Sequence, residues 1–289
     1  MEMNVSNNGE QVVAKKVGGL NPALIIPILL LIGVAIYLFV LGNPSNFKAD
    51  PRLEGLPSVA FSGLETKELH PGEGFMGIIY MGGPIVPILI AFMIIVIVFA
   101  IERALVLRKA SGASNVDNFV LTVRRLLNQN KIDEAIEECD RQQGSVGNVV
   151  KEGLTTYKAL SHDTTMNKEQ KMVALNKSIE EATTLEMPML EKNMMILSTL
   201  GTVATLVALL GTVIGMIKAF SALGAGGGTP DSAALSIGIS EALVNTALGI
   251  GTSAVAIILY NYFTSKIDGL TFKIDEIAMS IQQSFAEFH

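Results

Sequence analysis

One acid lies where an acid is costly. Glu241 comes about ten residues after a glycine-rich tip, roughly 15 Å along a helix at 1.5 Å per residue. At that depth a carboxylate costs on the order of 3 kcal/mol by insertion scales, so it is generally paired or lines an ion route. Hydroxyls accompany it. Ser198, Thr202, Thr205 and Thr212 fall within an arc of about 80° on one helix. Glu241, Asn245, Thr246, Gly249, Thr252 and Ser253 spread over about 140° of the next. Stacked hydroxyls suit a helix contact or a hydrated path, and the pair Gly211 and Gly215 favours close helix packing. Both readings stay open for the hydroxyls alone. With the turn centred near Gly228, Thr212 falls beside Thr246 and Lys218 falls close enough to Glu241 to pair.

No other chemistry competes. Cys139 has no ligand partner at metal spacing, and its place with Ile132, Ala135 and Ile136 reads as a small buried core residue. His70, His162 and His289 are isolated from one another. There is no phosphate loop and no nucleophile with a neighbouring base, so the expectation is a non-enzyme without metal or cofactor. The net charge of −6 has no basic cluster, which excludes the usual footprint of nucleic-acid binding.

The elements that position these residues follow from the distribution of charge. Only 17% of the 289 residues are charged, against about 25% in soluble domains. No Asp, Glu, Lys or Arg occurs from Val17 to Phe47, Gly74 to Ile101, Asn193 to Ile217 or Ala242 to Ser265. Each gap exceeds the roughly 20 residues a bilayer-crossing helix needs. By contrast, Glu102 to Lys192 holds 14 acids and 13 bases, as a water-facing domain does. An ordinary soluble enzyme is excluded.

The expected fold is all-α: a polytopic membrane protein with four transmembrane helices and a helical cytoplasmic domain. The boundaries read as a tail at 1–21, transmembrane helix 1 at 22–42, a periplasmic loop at 43–79 and transmembrane helix 2 at 80–103. A cytoplasmic helical domain follows at 104–192, then transmembrane helix 3 at 193–223, a periplasmic turn at 224–232, transmembrane helix 4 at 233–263 and an amphipathic tail at 264–289. The first run ends in large apolar residues from Tyr37 to Leu41, which reads as a retained anchor rather than a cleaved signal. Arg103, Arg108, Lys109, Lys192, Lys266 and Lys273 flank span ends on one side, which places both termini in the cytoplasm.

Within the polar segment, Val116, Phe119, Val120, Val123, Leu126 and Leu127 line one helical face. Shorter helices follow around 132–139 and 146–160. Residues 161–165 supply turn and cap residues for a long helix from about Met166. That helix is expected to run on into the third span with a bend at Pro188. After the fourth span, Ile267, Ile274, Ile281 and Phe288 recur every seven residues with Leu270 and Ile277 between them. The stripe fits packing on the protein's own helices or pairing between subunits.

The run Leu210-Gly-Thr-Val-Ile-Gly-Met-Ile-Lys-Ala-Phe220, with Ile239-Ser-Glu-Ala-Leu-Val-Asn-Thr-Ala-Leu-Gly-Ile250, resembles the paired signature of the MotA/TolQ/ExbB proton-channel family. It looks most similar to the ExbB/TolQ branch. Glu102-Arg103 at a membrane-cytoplasm boundary also fits, and the resemblance covers about residues 80 to 265.

The resemblance implies a ring, expected to be a homopentamer, in the bacterial inner membrane. The ring would enclose an ExbD/TolR-like single-span subunit that carries the proton-binding Asp. Proton motive force would then drive a TonB/TolA-like transducer, without covalent chemistry. Thr212 and Thr246 match the pore-facing threonines and Glu241 the pore-mouth acid. Together with Thr205 and Asn245 they form the expected proton pathway. The chain departs from the branch in its extra first span, its long tail and Lys218, where an uncharged residue is common. A flagellar or gliding-type motility stator and a non-conducting membrane scaffold are the alternative functions.

Overall fold

The computed structural model describes residues 21–64, 68–72, 74–225 and 232–288. The tail with Lys15 and Lys16, most of the glycine-rich tip, and His289 lie outside the described residues. The described residues are helical, with no strand among them beyond one isolated bridge between Phe47 and Pro71. Among the described residues, four helices are long and apolar enough to cross a bilayer.

The first, α1 (Pro22–Ala35), starts where the Asn21 side chain accepts from the Ala23 amide and a proline occupies the first turn. It widens into a π-helical turn over Ile36–Leu41. Gly33 lets it approach the third helix closely, because a Cβ there would come within 2.6 Å of the Ala91 Cβ. The loop from 43 onward is irregular, as its prolines require, yet it is not merely exposed. Three short 3₁₀ turns, capped by Asn43, Asp50 and Ser58, fold Phe47, Leu53, Val59 and Leu69 onto Tyr80 in a small apolar cluster. This cap ends in α2 (Phe75–Tyr80) and a Gly82-Gly83 turn, after which α3 (Val86–Ala110) begins with Pro87 in its first turn.

The polar domain contains α4 (Val116–Asn128), α5 (Ile132–Gln142), α6 (Gly144–His162) and α7 (Lys168–Glu191). The cap of α7 is Asn167, not 161–165: its side chain accepts from the Gln170 amide while Gln170 accepts from the Asn167 amide. Asp163 forms the preceding turn by accepting from the amide and hydroxyl of Thr165.

Pro188 stays inside α7 and does not end it. The chain breaks four residues later, at Lys192 and Asn193, before α8 (Met194–Ala225). Lys192 leaves the helical region with ψ 136°, and Asn193 takes φ 63°, a left-handed conformation that Asn tolerates better than most residues.

The last helix, α9 (Ser232–Phe288), is continuous over 57 residues and forms a hairpin with α8. Its far half enters the polar domain. Ile267, Leu270, Ile274, Ile277 and Ile281 are buried there against α4, α6 and α7, and Phe285 meets Tyr157 edge-on at 4.9 Å. The seven-residue stripe therefore packs on the chain's own helices, except Phe288, which stays exposed. Cys139 is buried in the same core, and burial pushes its thiol up to about 12.

Candidate functional site

Glycine and alanine bring α8 and α9 unusually close. A Cβ at Gly215 would come within 2.7 Å of the Gly238 carbonyl oxygen, and one at Gly249 would overlap Ala208. A Cβ at Gly211 would fall 2.8 Å from the Asn245 side chain. With backbones this near, short polar side chains meet directly across the hairpin.

Thr212 and Thr246 hydroxyls are 2.6 Å apart. Each also reaches the carbonyl one turn back on its own helix, Thr212 to Ala208 at 3.1 Å and Thr246 to Ala242 at 2.9 Å. A hydroxyl has one proton to donate. The pair therefore has two alternative patterns, in which either threonine donates across the hairpin while the other donates to its own carbonyl. Reversing the pattern moves the hydrogen-bond direction between helices without moving a heavy atom.

Further toward the tip, Lys218 Nζ donates to both carboxylate oxygens of Glu241, at 2.7 and 2.8 Å. The pair is unequal. The Glu241 side chain is 5% exposed, whereas that of Lys218 is 50% exposed. The buried charge is thus met by an ammonium that approaches from the open side, at the end of a flexible stem. Asn245, one turn from Glu241, is fully buried; its Nδ2 donates to the Gly82 carbonyl at 3.0 Å, and its Oδ1 has no hydrogen-bond partner among the described residues.

The remaining residues divide. Thr205 is exposed on α8, two turns from Thr212, and no hydrogen bond joins it to the pair among the described residues. Thr252 and Ser253 are buried; they donate to Leu248 on the same helix and to Gly201 across the hairpin, so these hydroxyls serve packing. Glu102 and Arg103 lie at the other end of the spans. Fully buried Arg103 donates twice to Glu102 at 2.6 Å and once to the Leu190 carbonyl at 3.3 Å, while Asn193 donates to Glu102 at 3.3 Å.

Two glycines join the site without having been expected there. Gly83, at φ +79°, packs so tightly on the Glu241 carboxylate that a Cβ would overlap its oxygen, and Gly82 supplies the carbonyl that holds Asn245. The only sequence signal was a glycine pair ahead of two prolines. Along α8, Thr212, Val213, Met216, Ile217, Phe220 and Ser221 line an open hollow of about 590 Å³. No group of three His, Cys, Asp or Glu able to hold a metal occurs among the described residues.

The family match takes in this hairpin. Residues 142–276 match the model of the MotA/TolQ/ExbB proton channel family. An ExbB homolog of Methanothermobacter thermautotrophicus is 28% identical over 75% of this chain and 74% of its own length. An ExbB-like protein of Synechocystis sp. is 33% identical over 39% of this chain and 54% of its own. The biopolymer transport protein ExbB of Xanthomonas campestris pv. campestris is also 33% identical over 39% of this chain, and 44% of its own. The matched segment carries both the threonine pair and the Lys218–Glu241 pair, in a multi-pass membrane protein. Residues 142–276 carry a MotA/TolQ/ExbB proton channel family domain, and the ExbB-named relatives support its ExbB/TolQ branch.

Proposed function

We propose that this chain is the ring subunit of an inner-membrane motor that uses proton motive force. It works with an ExbD/TolR-like single-span partner to energise TonB-dependent import or Tol-type envelope processes. The observation that carries the reading is the Thr212–Thr246 hydroxyl pair, which bridges the hairpin at 2.6 Å inside the family-matched segment. A partner carboxyl that loads and unloads a proton in hydrocarbon needs hydroxyls and water to pass it on. Two hydroxyls whose donor pattern reverses in place provide such a step. Glu241, more than one turn nearer the tip, forms the outer mouth with Lys218 as its counter-charge.

A homopentamer places the exposed apolar face of α8, with its hollow beside Thr212, toward the partner's span or a neighbouring copy. Both termini lie on the cytoplasmic side in this arrangement, since the basic residues flanking the spans collect there. Proton flow alone does no work. The partner must alternate between two positions, each with different access to outside and inside water.

The test is the double substitution Thr212→Val with Thr246→Val, in cells carrying the partner subunits. Valine keeps the shape and removes both hydroxyls. Loss of energised uptake with the complex still assembled is the expected result; retained uptake overturns the proposal and favours a non-conducting scaffold. The fourth span favours a second reading, a motility stator, which torque and swimming measurements separate from import.

A further inference from the structure

A chain of contacts links the first span to Glu241. The Tyr37 ring stacks on Tyr80 at 4.6 Å with an interplanar angle of 12°. The Tyr37 hydroxyl donates to the Tyr80 carbonyl at 3.1 Å. That carbonyl also accepts from the Gly83 amide at 3.3 Å, the bond that closes the turn ahead of α3. Gly83 then packs on the Glu241 carboxylate, and the adjoining Gly82 carbonyl holds the buried Asn245 amide.

From this continuity we propose that the first span supplies a fixed outer wall for Glu241. In this wall Tyr37 is a positioning residue acting through the turn at 80–83, and Gly83 is the surface against which the carboxylate is seated.

Each element of the chain has a reason to be where it is. The Tyr80 carbonyl has two lone pairs, and it spends one on the turn and one on the first span. A turn pinned from both sides cannot move away from α9 without breaking the Tyr37 bond as well. Gly83 has to be glycine on two counts: its backbone is left-handed, and the space a Cβ would take is filled by the carboxylate. Glu241 is thereby enclosed on three sides, by its own helix, by α8 through Lys218 and by the turn. The route left to it runs past the half-exposed ammonium of Lys218. Gly33 against Ala91 and Gly42 against Tyr80 hold the first span at the required distance.

This inference rests on reading Glu241 as the mouth acid, and its test separates the two. The experiment labels the assembled complex with a membrane-permeant carbodiimide and counts modified Glu241 by mass spectrometry, with Glu102 as internal reference. Tyr37→Phe keeps the stacked ring and removes only the hydroxyl. Loss of that one hydrogen bond raises Glu241 labelling roughly fivefold with Glu102 unchanged. Gly83→Ala drives its methyl group into the carboxylate and raises labelling with Tyr37 intact. If Gly83→Ala fails to assemble, Tyr37→Phe still decides. Labelling of Glu241 in Tyr37→Phe equal to that of the parent overturns the wall. If labelling rises while Glu241→Gln keeps full energised uptake, the wall stands and the mouth-acid reading falls. If labelling is unmoved while Glu241→Gln abolishes uptake, the wall alone falls.

Discussion

At the scale of single residues, the threonine pair makes a demand that packing does not. If its hydroxyls only hold the hairpin together, Thr246→Val costs one hydrogen bond, about 1 kcal/mol of stability, and leaves uptake intact. If they relay a proton, Thr246→Ser retains uptake and Thr246→Val loses it, although valine is the closer match in shape. Measuring uptake and thermal stability in both variants separates the two roles. A proton relay is ruled out if the valine variant transports normally. Cys139 poses a simpler case. Burial, then the neighbouring Asp140 carboxylate, pushes its thiol up to about 12, and it is only 2% exposed. At pH 8 a thiol with that pKa is ionised in about one molecule in ten thousand, and the thiolate is the reactive form. Maleimide is expected to leave Cys139 untouched in the folded protein through pH 8 and to label it rapidly in denaturant. Fast labelling of the folded chain would place Cys139 outside the core.

At the scale of elements, the joint between α7 and α8 is held from a helix far away in sequence. Arg103 on α3 is fully buried; its guanidinium meets Glu102 and the Leu190 carbonyl, while Asn193 reaches Glu102. Arg103→Met strands the Glu102 charge in a nearly dry place and should cost about 3–5 kcal/mol. Replacing both by methionine removes the stranded charge, so the double variant is expected to recover most of the loss. A thermal unfolding series on the three variants checks this, and equal losses in the single and double variants would mean that the charge was never desolvated.

The same joint shows why some contacts were legible in the sequence and others were not. On an antiparallel hairpin, equal depth follows from helical rise, so Thr212 with Thr246 and Lys218 with Glu241 could be paired by counting from the turn. The left-handed turn at Asn193 depends on a partner 91 residues earlier, and propensity pointed to Pro188 instead. Gly83 against Glu241 is likewise set by packing between residues 158 apart in sequence, with no local period to betray it.

At the scale of the molecule, α9 is one helix serving two media. Its 57 residues span roughly 85 Å at 1.5 Å per residue. The near half carries Glu241, Asn245 and Thr246; the far half carries Ile267, Ile274 and Ile281 into the core of the polar domain. A stiff helix joins them without a break, so a displacement at the hairpin is delivered to the polar domain as movement of a rod. The stripe of isoleucines is what grips the rod at its far end. Ile274, 1% exposed, is its test position. Ile274→Asp places an unpaired carboxylate among apolar side chains, which costs on the order of 3 kcal/mol or more. Because the stripe packs within one chain, the resulting loosening should not depend on protein concentration. Limited proteolysis of the polar domain is therefore expected to accelerate equally in dilute and concentrated detergent samples, while the Glu241 environment at the hairpin stays as in the parent. A defect that concentration repairs would instead assign the stripe to contacts between subunits.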